Sequence, residues 1–157
     1  MARACGSCTL CCKLTEVPEL FKPVNKWCGL CKPGKGCSSY EKRPPSCHTF
    51  SCIWLSDPSL SDDLRPDRCR VMLERLTDKT VLVLNEPSRP EAWRAPAMVK
   101  VLQEMVRSGL TLAVGNATRK QIILPEGRSV EDARQEIEEV VRGRTQLHNG
   151  PQPAQPR

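Results

Sequence analysis

The feature that most restricts what this chain can become is the crowding of its thiols. Cys5-Gly-Ser-Cys8-Thr-Leu-Cys11-Cys12 packs four cysteines into eight residues, and Cys28, Cys31, Cys37, Cys47, Cys52 and Cys69 follow. All ten stand in the first 69 of 157 residues. Cysteines are not kept both free and numerous without a use, and the redox compartment decides which use. The opening Met-Ala-Arg-Ala-Cys-Gly-Ser carries no apolar stretch of the kind a secretory signal needs. No apolar run approaches the roughly 20 residues of a membrane span. The expectation is therefore a cytoplasmic chain with no membrane partner, its thiols reduced and engaged with metal ions.

Composition supports a staple. Hydrophobic residues make up 39 % of the chain and aromatics 4 %, a lean supply for a core, and small lean cores are commonly completed by metal or disulfides. The formal charge of +6 is a weak pointer to nucleic acid. Eight thiolates holding two divalent ions would bring it down to about +2, and the basic residues are scattered with few aromatics among them. No paired carboxylates flank the cysteines and no Ser/His/Asp order stands out, so a catalytic set is not legible. Gly34-Lys35-Gly36 lacks the further residues of a phosphate-binding loop.

The chain reads as α+β in three parts. Residues 1–69 form a loop-rich, metal-stapled cysteine lobe. Residues 70–145 form an α/β lobe, compact with the first, and 146–157 a disordered tail that begins to loosen at Gly143. Within the first part, Pro18 and Pro23 make residues 13–27 a connector whose Leu14, Val17, Leu20, Phe21 and Trp27 cover one side of the cysteine knot. A short helical piece is expected near residues 59–64. In the second part, Val71–Leu76 and Val81–Leu84 alternate as a hairpin around Thr77–Thr80. Pro96 opens a helix with Met98, Val99, Leu102, Met105 and Val106 on one face, which Gly109 ends. Leu110–Val114 and Gln121–Leu124 are strands joined by a turn at Gly115-Asn116. Ser129 and Asp132 suggest a capping box for a last helix that buries Val130, Ala133, Ile137, Val140 and Val141. The order ββαββα predicts an antiparallel sheet with helices on one face.

The ligand chemistry lies in the spacing. Cys5-x2-Cys8, nineteen residues and Cys28-x2-Cys31 fit a two-knuckle zinc pattern, in which two local chelating pairs fold onto one tetrahedral ion. Cys11, Cys12, Cys37, Cys47, Cys52 and Cys69 remain for a second ion or a shared cluster, with His48 available as an extra ligand. The adjacent pair Cys11-Cys12 is read as serving different ions or different edges of one cluster. Cys5-x2-Cys8-x2-Cys11 also begins like a ferredoxin run but breaks at Cys12, leaving Fe or an Fe–S cluster as the alternative to Zn2+. His48 reads as a hydrogen-bonding or solvent-facing neighbour of Cys47, and Arg43 as a surface guanidinium or a counter-charge over the thiolates. Cys69, at a strand start, reads as a small buried hydrophobe.

The run Cys5, Cys8, Cys11, Cys12, then Gly36-Cys37, then Tyr40, Arg43, Pro44, Cys47, Phe50 and Cys52 resembles the CxxCxxCC (YkgJ-like) family of zinc- or iron-chelating proteins. The likeness covers roughly the first 55 residues and implies metal binding there. Larger members of that family include flagellin lysine N-methylases. This chain is short and has no Gly-rich nucleotide turn after a strand, so methylation does not follow. The expected function is metal binding through Cys5, Cys8, Cys11, Cys12, Cys28, Cys31, Cys37, Cys47 and Cys52, with no catalysis of its own and a surface for a protein partner. The alternative is an iron–sulfur or mononuclear-iron enzyme or enzyme component.

Overall fold

In the computed structural model, residues 3–115 and 120–148 are described. Strands β3 (Val71–Arg75) and β4 (Thr80–Asn85) form the expected antiparallel hairpin. β5 (Thr111–Gly115) then pairs with β4 in parallel, and β6 (Lys120–Ile123) closes the sheet antiparallel to β5. The sheet is therefore mixed, in the order β3-β4-β5-β6, and the expectation of an all-antiparallel sheet is corrected. The reason lies in the connection. Residues 86–110 contain the helix α5 (Pro96–Arg107), long enough to carry the chain back to the end where β4 began, so β5 repeats its direction.

Both faces of this sheet are covered, which corrects the expectation of helices on one face. Val71, Leu73, Val81, Val83, Leu112 and Val114 share one core cluster with Met98 and Leu102 of α5. From the first part of the chain, Ile53 and Trp54 of α3 (Ile53–Ser56) and the loop residues Leu60 and Leu64 join the same cluster. On the opposite face, Met72, 0 % exposed, meets Leu10 and Leu14 of α1 (Leu10–Leu14). Farther along that face, Ala113 and Ile122 line a small cavity together with Ile137 of α6 (Val130–His148). A strand apolar on both sides, as Val81-Leu82-Val83-Leu84 is, requires cover on both sides. The cysteine-bearing part supplies it by straddling the β3 edge.

Local chemistry explains the helix ends. Pro96 sits in the first turn of α5, where a missing N–H costs nothing. Gly109, at φ +93°, closes the other end, with Leu110 N–H donating to Met105 O at 3.0 Å and Gly109 N–H to Val106 O at 3.0 Å. This is a Schellman closure, which favours glycine. Ser129 Oγ accepts from Asp132 N–H at 3.1 Å, giving the serine cap of α6. That helix runs through Gly143 to His148 and does not loosen at the glycine. An interior glycine costs only about 1 kcal/mol. Of its expected buried face, Ala133 is buried, while Val130 and Val141 are half exposed. Asn116 of the expected turn, and residues 149–157 of the expected tail, lie outside the described residues.

Two polar ties fasten the fold, one of them between its two parts. Lys13 Nζ of α1 pairs with Glu86 at 2.6 Å, and Arg70 reaches the same carboxylate at 3.5 Å, joining the cysteine-bearing part to the end of β4. The Lys13 bond holds the Glu86 carboxyl below its usual range. At the far end, Arg128 pairs with Glu136 and donates to Thr111 Oγ1 at 2.7 Å and to Lys79 O at 3.1 Å. Glu136 also accepts from Thr77 and Thr80. Arg128→Met should leave Glu136 half buried without its cation, lowering the unfolding free energy by roughly 2 kcal/mol. Urea denaturation checks this, and an unchanged midpoint would show the tie to be dispensable.

Candidate functional site

The cysteines are held by turns more than by regular structure. Gly6, at φ +53°, bends the first knuckle, and Cys8 N–H donates to Cys5 O at 2.9 Å. α1 then carries Cys11 and Cys12. The second knuckle is similar, with Cys31 N–H donating to Cys28 O at 3.0 Å. It leads into a two-residue ribbon, β1 (Cys31–Lys32) and β2 (Gly36–Cys37), which sets Cys31 opposite Cys37. This ribbon leans on the first knuckle. Gly34 N–H donates to Thr9 Oγ1 at 3.1 Å, and a side chain at Gly36 would approach Gly6 O to 3.7 Å. Pro44 and Pro45 lead into α2 (Pro45–Thr49), which carries Cys47. Cys52 is the N-cap residue of α3, its carbonyl accepting from Leu55 N–H at 3.0 Å.

Nine cysteines line one cavity of about 1030 Å3: Cys5, Cys8, Cys11, Cys12, Cys28, Cys31, Cys37, Cys47 and Cys52. Cys69 is not among them. Its thiol donates to the carbonyls of Leu64 and Val71 at 3.3 and 3.2 Å, and it packs against the core, in the role of a small hydrophobe. All ten are free thiols. They do not converge on a point as they stand: among the described residues, no three His, Cys, Asp or Glu side chains form a group ready to hold an ion.

Within the cavity the thiols fall into neighbourhoods. The side chains of Cys11 and Cys31 lie beside that of Cys12. Its carbonyl accepts from Cys28 N–H at 3.0 Å. Cys47 lies within electrostatic reach of Cys12 and Cys28. Cys52 lies within reach of Cys5 and Cys8. The second knuckle thus meets Cys12 most directly. Cys11, with Cys52, packs against the apolar group of Leu10, Leu14 and Met72, so the two adjacent cysteines look toward different surroundings.

Cations surround the thiols. Arg43 stacks on Tyr40 at 4.0 Å, donates to His48 Nδ1 at 3.3 Å, and pulls down the pKa of Cys5 against the upward push of burial. His48 itself is exposed and accepts that bond. Arg65 donates to Ser7 Oγ at 2.7 Å and pairs with Asp67 at 2.6 Å beside Cys8. The backbone N–H groups of Leu10 and Asp67 face the Cys8 sulfur.

Two cations carried no sequence signal. Lys22 is buried, 7 % exposed, with Nζ donating to Lys13 O at 3.1 Å and to Thr15 O. Arg3 donates to the carbonyls of Trp54 and Asp57 at 2.8 and 2.9 Å and lies over the Trp54 ring at 4.5 Å, pinning the chain just ahead of Cys5. Neither sits in a periodic pattern or next to a cysteine. The alternation Val17-x4-Lys22 gave no hint that these two would bridge. The cover expected from residues 13–27 is only partly realised. Leu14 and Val17 are buried, but Leu20 and Trp27 are half exposed and Phe21, at φ +51°, is 76 % exposed.

Burial raises the pKa of Cys5, Cys8, Cys47 and Cys52. Cys12 is raised most, first by the neighbouring Cys11 side chain, and burial together with Cys12 pushes Cys31 up to about 12. Without a Lewis acid these thiols therefore stay protonated at neutral pH. A soft divalent cation is the reagent that displaces such protons. No family model, curated protein or solved structure matches the chain.

Between the ordinary value of 9.0 and the raised values, the folded chain holds protons that the unfolded chain releases. The metal-free, reduced protein should therefore keep its stability up to about pH 9 and lose it steadily above. Urea midpoints followed from neutral into alkaline pH check this, and a midpoint that stays level or rises would contradict it.

Proposed function

We propose that this is a metal-binding cysteine-cluster protein, zinc- or iron-chelating, in which the metal chiefly staples the cysteine-bearing lobe, and that its first 55 or so residues belong with the CxxCxxCC (YkgJ-like) proteins. The observation that carries the reading is the shared cavity: the nine cysteines read from spacing as ligands line it, and Cys69, read as core, does not. The donor set fits soft or borderline metals, since thiolates from several short turns can close around an ion with small backbone adjustments. Bringing the thiolates together binds segments that otherwise share few apolar contacts. Such a centre requires a reducing compartment, which is the cytoplasm. The half-exposed strip of Leu20, Phe21, Val24 and Trp27 is where a protein partner would rest.

Anaerobic purification with elemental analysis and an absorption spectrum tests the reading. Zinc near two per chain in a colourless protein, or iron with acid-labile sulfide in a brown one, supports it and separates the two metals. Protein that takes up neither metal overturns it. Cys8→Ser and Cys31→Ser should each lose metal and unfold the lobe, because a structural zinc contributes on the order of 10 kcal/mol. Cys69→Ala should keep the full metal content. Equal metal loss in all three variants would mean that the cavity does not define the ligands.

A further inference from the structure

The two-stranded ribbon β1–β2 brings two thiols together by backbone register. Its tip, Lys32-Pro33-Gly34-Lys35, is a turn closed by Lys35 N–H donating to Lys32 O at 2.9 Å. Pro33 presets the second position and Gly34, at φ +72°, takes the left-handed third, the pattern of a type II turn. Behind the tip, Lys32 stands opposite Gly36 and Cys31 opposite Cys37. One step farther back, Ser38 N–H donates to Leu30 O at 2.8 Å, while Cys31 N–H is spent on Cys28 O at 3.0 Å. Cys31 and Cys37 are therefore a pair of the non-hydrogen-bonded kind. In such a pair the Cα atoms lie about 4.5 Å apart and both side chains leave the same face. A disulfide spans Cα separations of about 4.4–6.8 Å, so the ribbon already holds the two within bonding range. Two further bonds fix it there: Ser38 Oγ donates to Leu30 O at 2.8 Å, and Gly34 N–H to Thr9 Oγ1 at 3.1 Å. Both thiols are free, partly exposed and on the open cavity. Other close pairs are less prepared. Cys11 and Cys12 are consecutive in α1, and the roughly 3.8 Å between neighbouring Cα atoms is too short for an unstrained bond. Cys5 with Cys8, and Cys28 with Cys31, sit at the ends of single turns, where no facing strand aims one sulfur at the other.

We propose that Cys31 and Cys37 are a redox-active dithiol, the first pair in the chain to close when a small disulfide oxidant such as glutathione disulfide becomes abundant. One sulfur of the pair attacks the oxidant's S–S bond, forming a mixed disulfide and releasing one glutathione thiol. The second sulfur attacks the mixed disulfide and releases the other. The pair loses two electrons and two protons, and the two glutathione thiols carry them away. Ordering a residue's backbone is the main entropic cost of bringing two thiols together. Here the ribbon has ordered it beforehand, which favours this pair roughly tenfold over pairs in looser turns. Both sulfurs also belong to the nine that line the cavity. Closing the bond removes two candidate ligands at once, so oxidation and metal loading exclude each other at the ribbon. That exclusion rests on the metal-binding reading, whereas the dithiol itself does not.

The full chain, reduced, metal-free and held without oxygen, is equilibrated with glutathione buffers of rising disulfide content. It is then quenched with acid, alkylated and digested with trypsin for mass spectrometry. Equilibrium is read rather than rate, because ionisation sets how fast thiols exchange. Lys32 precedes proline and is spared, so cleavage after Lys26, Lys35 and Lys42 leaves Cys28 and Cys31 on one peptide and Cys37 on the next. Fragmentation of the linked pair, or the Cys28→Ala variant, assigns the sulfur. The Cys31–Cys37 link should form first, at a ratio of glutathione disulfide to glutathione roughly tenfold below that of any other pair. Gly34→Val puts a β-branched residue at the left-handed turn position and should erase that lead. A first link between other cysteines, a mixture of links with no leader, or an unchanged lead in Gly34→Val overturns the proposal. Should Gly34→Val fail to fold, the wild-type map alone decides. Zinc is the second probe. Saturating zinc should raise the ratio needed for this link by roughly tenfold or more, and the linked chain should take up less zinc. Zinc that binds without moving the ratio overturns the exclusion. A chain that takes up neither zinc nor iron removes the metal-binding reading, and the metal-free map still upholds or overturns the dithiol.

Discussion

Strand β4 sits between β3 and β5 and is apolar on both faces, and the rest of the chain is arranged around covering it. Val81 and Val83 are fully buried against α5 and the Ile53-Trp54 segment, while Leu84 on the other side faces the Leu10, Leu14 and Met72 group. An inner strand left bare on one side would expose apolar surface at about 25 cal/mol per Å2. The α/β part alone covers one face well, and the other face only where α6 crosses it. The remaining cover comes from residues 10–14, which are also the residues that carry Cys11 and Cys12. Core packing and thiol placement are thus joined in a single short helix.

That junction shapes the electrostatics of the cavity. Leu10 and Leu14 turn inward to the sheet, and the rest of α1 presents its cysteines to the cavity. Lys13 leaves the opposite way to pair with Glu86. Two cations, Arg43 and Arg65, stand near the thiols Cys5 and Cys8. Both lie near the surface, where solvent screens them.

Much of the α/β part was legible because its signals are local. The alternation in Val71–Leu84, the Pro96 start, the Gly109 stop and the serine cap at Ser129 each depend on a few neighbouring residues, and each appears where its pattern predicts. Strand direction was not legible, because parallel or antiparallel pairing is set by where a crossover delivers the chain. Helix coverage of both faces was missed for a related reason: the second cover comes from residues 10–14, too short an apolar pattern to announce a helix. Phe21 was expected to help cover the cysteine knot, but the turn after Pro18 places it at a left-handed corner, 76 % exposed.

The ligand candidates were legible from spacing and residue type, since thiolate chemistry belongs to the side chain whatever the fold. The separation of Cys69 from the other nine was legible too, because a lone cysteine at a strand start lacks a chelating neighbour. Which thiols face one another, and where Lys22 is buried, depended on tertiary contacts alone. Cys12 meets the second knuckle because Cys28 N–H bonds its carbonyl, and Lys22 is buried because it bridges to Val17 and donates to Lys13 O and Thr15 O. Both are pairings between segments separated by loops, whose closure is governed by the packing of the whole chain and leaves no periodic trace in the order of residues.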